Sequence, residues 1–201
     1  ETALSRDDMA FVSWDHPMLR GGIDLILGSE IGSTSVALLK NKALPIGSTL
    51  LELVFVAESA SHPQLYRFMP PTPIRLLLDK NGNNLGEKVP FETFNRPLTP
   101  VNRHLGSKLV PTSQPLIHGL IGKGQELAEP LKAQIVADAR ARMVATLQQE
   151  LARLSELKAV NPNVRDSELA YLQQLEAELL HLIDQTQLKL DAIRFIVVTH
   201  Q

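Results

Sequence analysis

The chain has 201 residues, 44% of them hydrophobic and 21% charged, with a formal net charge of -2. That length and composition support one sizeable core or two small ones and argue against disorder, and the net charge means that the chain as a whole is no general polyanion binder. Cysteine is absent, which removes disulfides, thiolate nucleophiles and sulfur-ligated zinc and accords with a reducing compartment.

No apolar run approaches the roughly 20 residues that a membrane helix needs, and the start carries no signal-peptide pattern. Charge is unevenly spread. Residues 1–60 hold 4 basic and 8 acidic groups, residues 61–110 hold 7 and 3, and residues 111–201 hold 9 and 11. The middle third is therefore the electropositive stretch.

Residues 1–13 are weakly patterned and are expected to be a lead-in from an upstream region. Asp15-His16-Pro17 reads as a helix start, because Pro is tolerated at the first helical position. Leu19, Ile23, Ile26 and Leu27 then supply one apolar face, and Gly28 suits the end. Ser33–Lys40 and Thr49–Ala57 read as strands, and the Pro- and Gly-containing link between them suggests an antiparallel hairpin. Prolines at 63, 70, 71 and 73 make residues 59–73 an edge segment or loop, with Tyr66–Met69 extended along the sheet. Ile74–Leu78 is a third strand, ended by a tight turn at Asn81-Gly82. Residues 85–112 are expected to be irregular.

From Pro115 the pattern becomes helical, with Pro130 kinking or dividing it. Apolar residues at 131, 135, 139, 143, 147, 151 and 154 form one stripe. Asn161-Pro162-Asn163 breaks the helix, and a second helix follows from about Asp166 to Asp191. The pair is expected to fold back as an antiparallel hairpin, in preference to forming a coiled-coil dimer. The final run, Ile193–Thr199, is dense in β-branched residues and reads as a strand buried on both faces. The predicted class is α+β: a mostly antiparallel sheet with an N-terminal helix, a long helical hairpin and a final buried strand. One domain over 14–201 is expected, sheet-rich over 30–112, with the helical hairpin at 115–191 and the last strand at 193–199.

Candidate chemistry is sparse. Gly119–Gly124 contains a Gly-Lys pair, but Ile117 and Gly124 stand where a phosphate loop needs Gly and Ser or Thr. The six histidines lack metal-ligand spacing, and His16 is assigned to fixing a helix start. Ser33, Ser35 and Ser48 lack the Gly-x-Ser-x-Gly setting of a hydrolase nucleophile. No catalytic, cofactor-binding or metal-ligating residue is assigned. The best remaining signal is the basic middle: Lys80, Lys88, Arg96, Arg103 and Lys108 in loops, with Phe91 and Phe94 nearby. Such a set suits nucleic acid through phosphate contacts and stacking; an ordinary loop surface with the Phe rings plugging the sheet is the simpler alternative.

Several stretches in order carry a family resemblance. They are Asp15-His16-Pro17-Met18 with Gly22–Ile26, Leu38–Pro45, Pro70–Pro73 with Leu78–Asn84, Phe91–Arg96, Asn161–Asn163, and Leu190–Arg194 through Gln201. Together they resemble the C-terminal region of the RapA family of bacterial RNA polymerase-associated proteins, helicase-like ATP-dependent translocases of the SWI/SNF type. The resemblance implies a transcription-linked parent that is cytoplasmic, binds core RNA polymerase, and helps release and recycle it. It also implies that ATP and magnesium belong to upstream motor lobes. This chain has no phosphate-loop lysine motif, Asp-Glu-x-His box or arginine-finger motif, so no ATPase activity and no cofactor of its own are expected. Its partners would be those motor lobes, RNA polymerase and possible nucleic acid, with no membrane. The start at Glu1 without Met is expected to be a fragment boundary, and the ending at Gln201 the natural end of the parent.

Overall fold

Five strands, β1 (Thr34–Lys40), β2 (Thr49–Glu58), β3 (Thr72–Asp79), β4 (Leu98–Pro100) and β5 (Gln187–Thr199), form one sheet in the order β3-β2-β5-β1-β4. The computed structural model describes residues 34–101 and 103–200, with side chains described over 34–101 and 113–200. The helix expected from Pro17 to Leu27 lies outside the described residues. Among the described residues, three α-helices accompany the sheet: α1 (Phe91–Asn95), α2 (Arg103–Val160) and α3 (Asp166–Asp184). The class is α+β. Every strand pairing is antiparallel except β1 with β5.

The last strand takes the middle of the sheet because it is apolar on both sides. Ile193 and Phe195 join the core under the helices, while Ile196 and Val198 join a second core on the opposite face. A strand with two apolar faces is satisfied only where both faces are covered. This placement corrects one expectation: β1 and β2 are not a hairpin. β5 inserts between them, pairing Val36 with Phe195 on one side and Leu51 with Phe195 on the other.

β5 also starts earlier than expected, at Gln187, and α3 ends at Asp184 rather than near Asp191. The alternation Gln187-Leu188-Lys189-Leu190-Asp191 has the two-residue period of a strand, with exposed positions at 187, 189 and 191. A register shift opposite Val54 and Phe55 then moves the phase by one. Leu188 and Leu190 therefore share a face with Ile193 and Phe195 and pack on the same core. One extra residue in a strand does this.

Two further elements differ from the sequence reading. Leu65–Arg67 is a 3-10 turn, not an extended segment. Within residues 85–112, expected to be irregular, Phe91–Asn95 form α1, Leu98–Pro100 form β4 and residues 103–112 begin α2. α2 runs 58 residues, about 87 Å at 1.5 Å per residue, and continues through Pro111, Pro115 and Pro130. A helical proline costs one backbone hydrogen bond; Pro115 and Pro130 are exposed, where water can take the freed carbonyl.

α2 has two jobs along its length. Ile117, Leu120, Ile121 and Ala128 are buried in the core they share with the sheet, whereas Ala139, Met143 and Leu147 are buried in a stripe beside Leu175, Leu179 and Ile183 of α3. Cross-helix pairs of Arg140 with Asp184, Gln148 with Glu176 and Lys158 with Asp166 run in opposite chain directions, so the hairpin is antiparallel.

Gly124 marks a close approach of α2 to the sheet. A Cβ there would collide with Leu53 Cδ1 and lie 3.5 Å from Phe55 Cε2 and 3.6 Å from Leu78 Cδ1. Gly122, two residues earlier, has open space around the same position. Opposite signs are expected from thermal or urea unfolding. Gly124→Val should cost about 1–3 kcal/mol through overpacking, whereas Gly122→Ala should gain up to about 1 kcal/mol through helix propensity.

Candidate functional site: a buried ion-pair cluster and a cationic sheet end

Three neighbouring strands each place one charge on the face opposite the helical hairpin. Glu52 lies directly across from Arg194 in the β2–β5 register, and Arg75 lies across from Val54, one diagonal step from Glu52. Glu52 is only 3% exposed. Arg75 Nε donates to Glu52 Oε1 at 2.6 Å, and Arg194 Nη1 lies 3.5 Å from Glu52 Oε2.

The two arginines hold the covering segment in turn. Arg75 Nη1 donates to the Val89 carbonyl at 2.8 Å, and Arg194 Nη1 donates to Asn95 Oδ1 at 2.6 Å. The Arg75 guanidinium sits 5.5 Å from the Phe91 ring centre and 5.7 Å from that of Phe94. Arg75 Nη2 is buried and makes no hydrogen bond among the described residues, so the ring faces are its compensation. Phe94 is buried with Leu77, Leu39, Ile196 and Val198, plugging the sheet as the simpler sequence reading has it.

Chemically this cluster is closed. Both oxygens of Glu52 are turned to cations, which leaves no free base for proton abstraction. Its work is to fasten residues 89–95 across the sheet. Among the described residues no group of three or more His, Asp or Glu is placed to hold a metal. The Gly119–Gly124 stretch is helical, with Lys123 paired to Glu126 at 2.9 Å, and it forms no loop around an anion.

The five cations singled out in the sequence do not stay together. Lys80, Lys88 and Arg96 are exposed, but Arg103 and Lys108 lie in α2, not in loops. Because β4 is antiparallel to β1, it starts next to Arg96 opposite Leu39, near the finish of β1, and runs back toward the start of β1, with Pro100 opposite Ala37 and the Val101 amide donating to the Val36 carbonyl at 2.9 Å. Lys88 belongs to the turn Leu85–Val89, which returns beside Arg75. Lys80 and Arg96 share the end where β1 and β5 finish.

At that end the turn after β3 is built on Asp79. Its Oδ1 accepts from the Asn81 and Asn83 amides at 2.8 and 2.9 Å, and its Oδ2 accepts from Asn83 Nδ2 at 2.9 Å. Gly82 supplies the positive φ of +81° expected from the Asn-Gly pair. Desolvation pushes the Asp79 carboxyl upward, but the Asn83 side chain and the Asn83, Asn81 and Gly82 amides outweigh it and hold the group below its ordinary value of 3.8.

Sequence reading missed Glu52, Arg75 and Arg194. The signal was present: each is a lone charge inside an otherwise apolar strand, in Leu-Leu-Glu-Leu-Val, Ile-Arg-Leu-Leu and Ile-Arg-Phe-Ile. Such charges are seldom buried without a partner.

The family model described as RNA polymerase recycling family C-terminal (RapA_C) matches residues 1–198. The chain belongs to the RNA polymerase recycling family, as its C-terminal region.

Proposed function

We propose that this chain is a non-catalytic accessory domain of an ATP-dependent RNA polymerase recycling factor in the bacterial cytoplasm. It is one cooperative unit over residues 14–201 that braces the upstream motor lobes or presents a fixed surface to the polymerase. ATP and magnesium belong to those lobes, and this chain carries no cofactor. The observation that supports the reading most is the central position of β5: the strand that follows the hairpin pairs with both β1 and β2. A rigid body of this kind transmits force or fixes orientation, whereas catalysis needs converging polar groups in a pocket. The most polar cluster here is already closed on itself.

The test has two arms. The 201-residue chain with magnesium and ATP is expected to show no turnover above buffer. The full-length factor lacking this chain is expected to retain ATP hydrolysis while losing polymerase release. Turnover by the isolated chain that a substitution within it abolishes would refute the non-catalytic role. Unchanged polymerase release by the shortened factor would refute the accessory one.

A further inference from the structure

We propose that the end of the sheet carrying Lys40, Lys42, Lys80 and Arg96 binds the phosphate backbone of duplex nucleic acid, independent of base sequence. Strand polarity brings these residues together from three separate stretches of the chain. β1 and β5 are parallel and β3 runs with them, so their C-terminal ends share one edge with the starts of β2 and β4. Lys40 closes β1, Lys42 lies in the following loop, Lys80 follows β3, and Arg96 precedes β4. The Lys40 amide donates to the Pro97 carbonyl at 3.4 Å, which seats Arg96 beside the end of β1.

All four side chains are exposed, and among the described residues none makes an ion pair. Among the described residues, Asp79, the carboxylate of the turn that precedes Lys80, is consumed by three hydrogen bonds within its own turn, and the exposed Glu87 and Glu92 of the connection to Arg96 form no ion pair with these four cations. The carboxylates of Glu58, Glu178 and Asp184 stand at the other end, with the start of β5. Among the described residues, the positive charge is thus collected and none of it is held in an ion pair. Repulsion among clustered like charges costs free energy, and a polyanion removes that cost while releasing its counterions.

Geometry and composition favour a duplex over a single strand. Five strands at about 4.8 Å span roughly 19 Å, over which one strand of a duplex presents about five or six phosphates at 3.4 Å each. Single-strand sites rely on aromatic platforms. Of the aromatics nearest this edge in sequence, Phe94 is buried, and the half-exposed Phe91 has its ring centre 5.5 Å from the Arg75 guanidinium, so no row of free rings forms a platform here.

The inference does not depend on the accessory role, and its test is separate from ATP hydrolysis. Binding of the 201-residue chain to a 30-base-pair DNA duplex of arbitrary sequence is measured against salt. Four phosphate contacts give a log–log slope of about -3.6, or about 150-fold weaker binding at 200 mM than at 50 mM salt. Lys40→Glu with Arg96→Glu should bring the slope to about -1.8 or lower in magnitude. Arg153→Glu with Lys189→Glu, matched in net charge, should leave the slope near wild type. Lys40→Gln with Arg96→Gln repeats the loss without introducing repulsion, and the melting transition of each variant is checked. No duplex binding at 50 mM salt, or equal effects of the two charge-reversed pairs, would overturn the proposal. So would tighter binding to polyglutamate that is lost in Ile46→Ser. Ile46 is 70% exposed in the β1–β2 loop, and its loss would assign this edge to an acidic protein with an apolar anchor.

Discussion

Glu52→Ala is expected to destabilise the chain by about 3 kcal/mol, lowering its melting temperature by about 6–12 °C. The side chains of Arg75 and Arg194 are only 20% and 27% exposed, so water screens little of the charge they would be left with. Removing one partner of a buried ion pair strands the other, which costs more than the pair contributes. The damage should also be local. Arg75 and Arg194 hold Val89 and Asn95, so amide exchange over residues 89–95 should rise more than in the helical hairpin. Replacing Glu52 with Leu and both arginines with Met should restore most of the loss, because an apolar cluster needs no partner. A single Glu52→Ala change within about 0.5 kcal/mol of wild type would mean that the cluster fastens nothing.

The periodicities in the sequence located β2, β3 and both long helices, because each is a local property of side chains. They did not identify partners. The β1–β2 hairpin was the natural local solution for two strands separated by Asn41–Ser48, yet that loop also reaches across an inserted strand. Two strand spacings are about 10 Å, well within eight residues at about 3.3 Å each. What decided the order was the two-sided apolar pattern of Ile193–Val198, which the sequence did display. The phase change between Leu190 and Ile193 was also visible, but a continued helix absorbed Leu190 equally well. Prolines at 111 and 115 concealed the start of α2. Proline marks a local cost, and packing of Ile117, Leu120 and Ile121 outweighs it over the same turns.

Surface function was less legible for a related reason. Lys80 to Lys108 look continuous in the sequence, but strand direction carries Arg103 and Lys108 away from Arg96. It brings in Lys40 and Lys42, which lie more than fifty residues upstream of Arg96. The groups that share a surface are set by register and polarity, and a linear charge count has access to neither. The buried triad of Glu52, Arg75 and Arg194 has the same origin. Each member is a local oddity, and only strand pairing makes them a cluster.

Removing residues 193–201, and with them the second half of β5, is expected to abolish cooperative folding rather than shorten the domain. Ile193, Phe195, Ile196 and Val198 are each 2% exposed or less. At about 1.5–3 kcal/mol per fully buried side chain, their burial supplies about 6–12 kcal/mol as an upper estimate. That is comparable to the whole stability of an ordinary domain, about 5–15 kcal/mol. The truncation also strips the ladders from β1 and β2, which pair with this stretch on either side. The helical hairpin would lose the apolar surface on which Ile117, Leu120 and Leu179 converge. The decisive measurement is thermal unfolding of the chain ending at Ala192 beside the full chain, followed by circular dichroism at helix and strand wavelengths. One shared transition in the full chain and no cooperative transition in the shortened one is the expected result; a shortened chain that keeps the full chain's melting transition would contradict it.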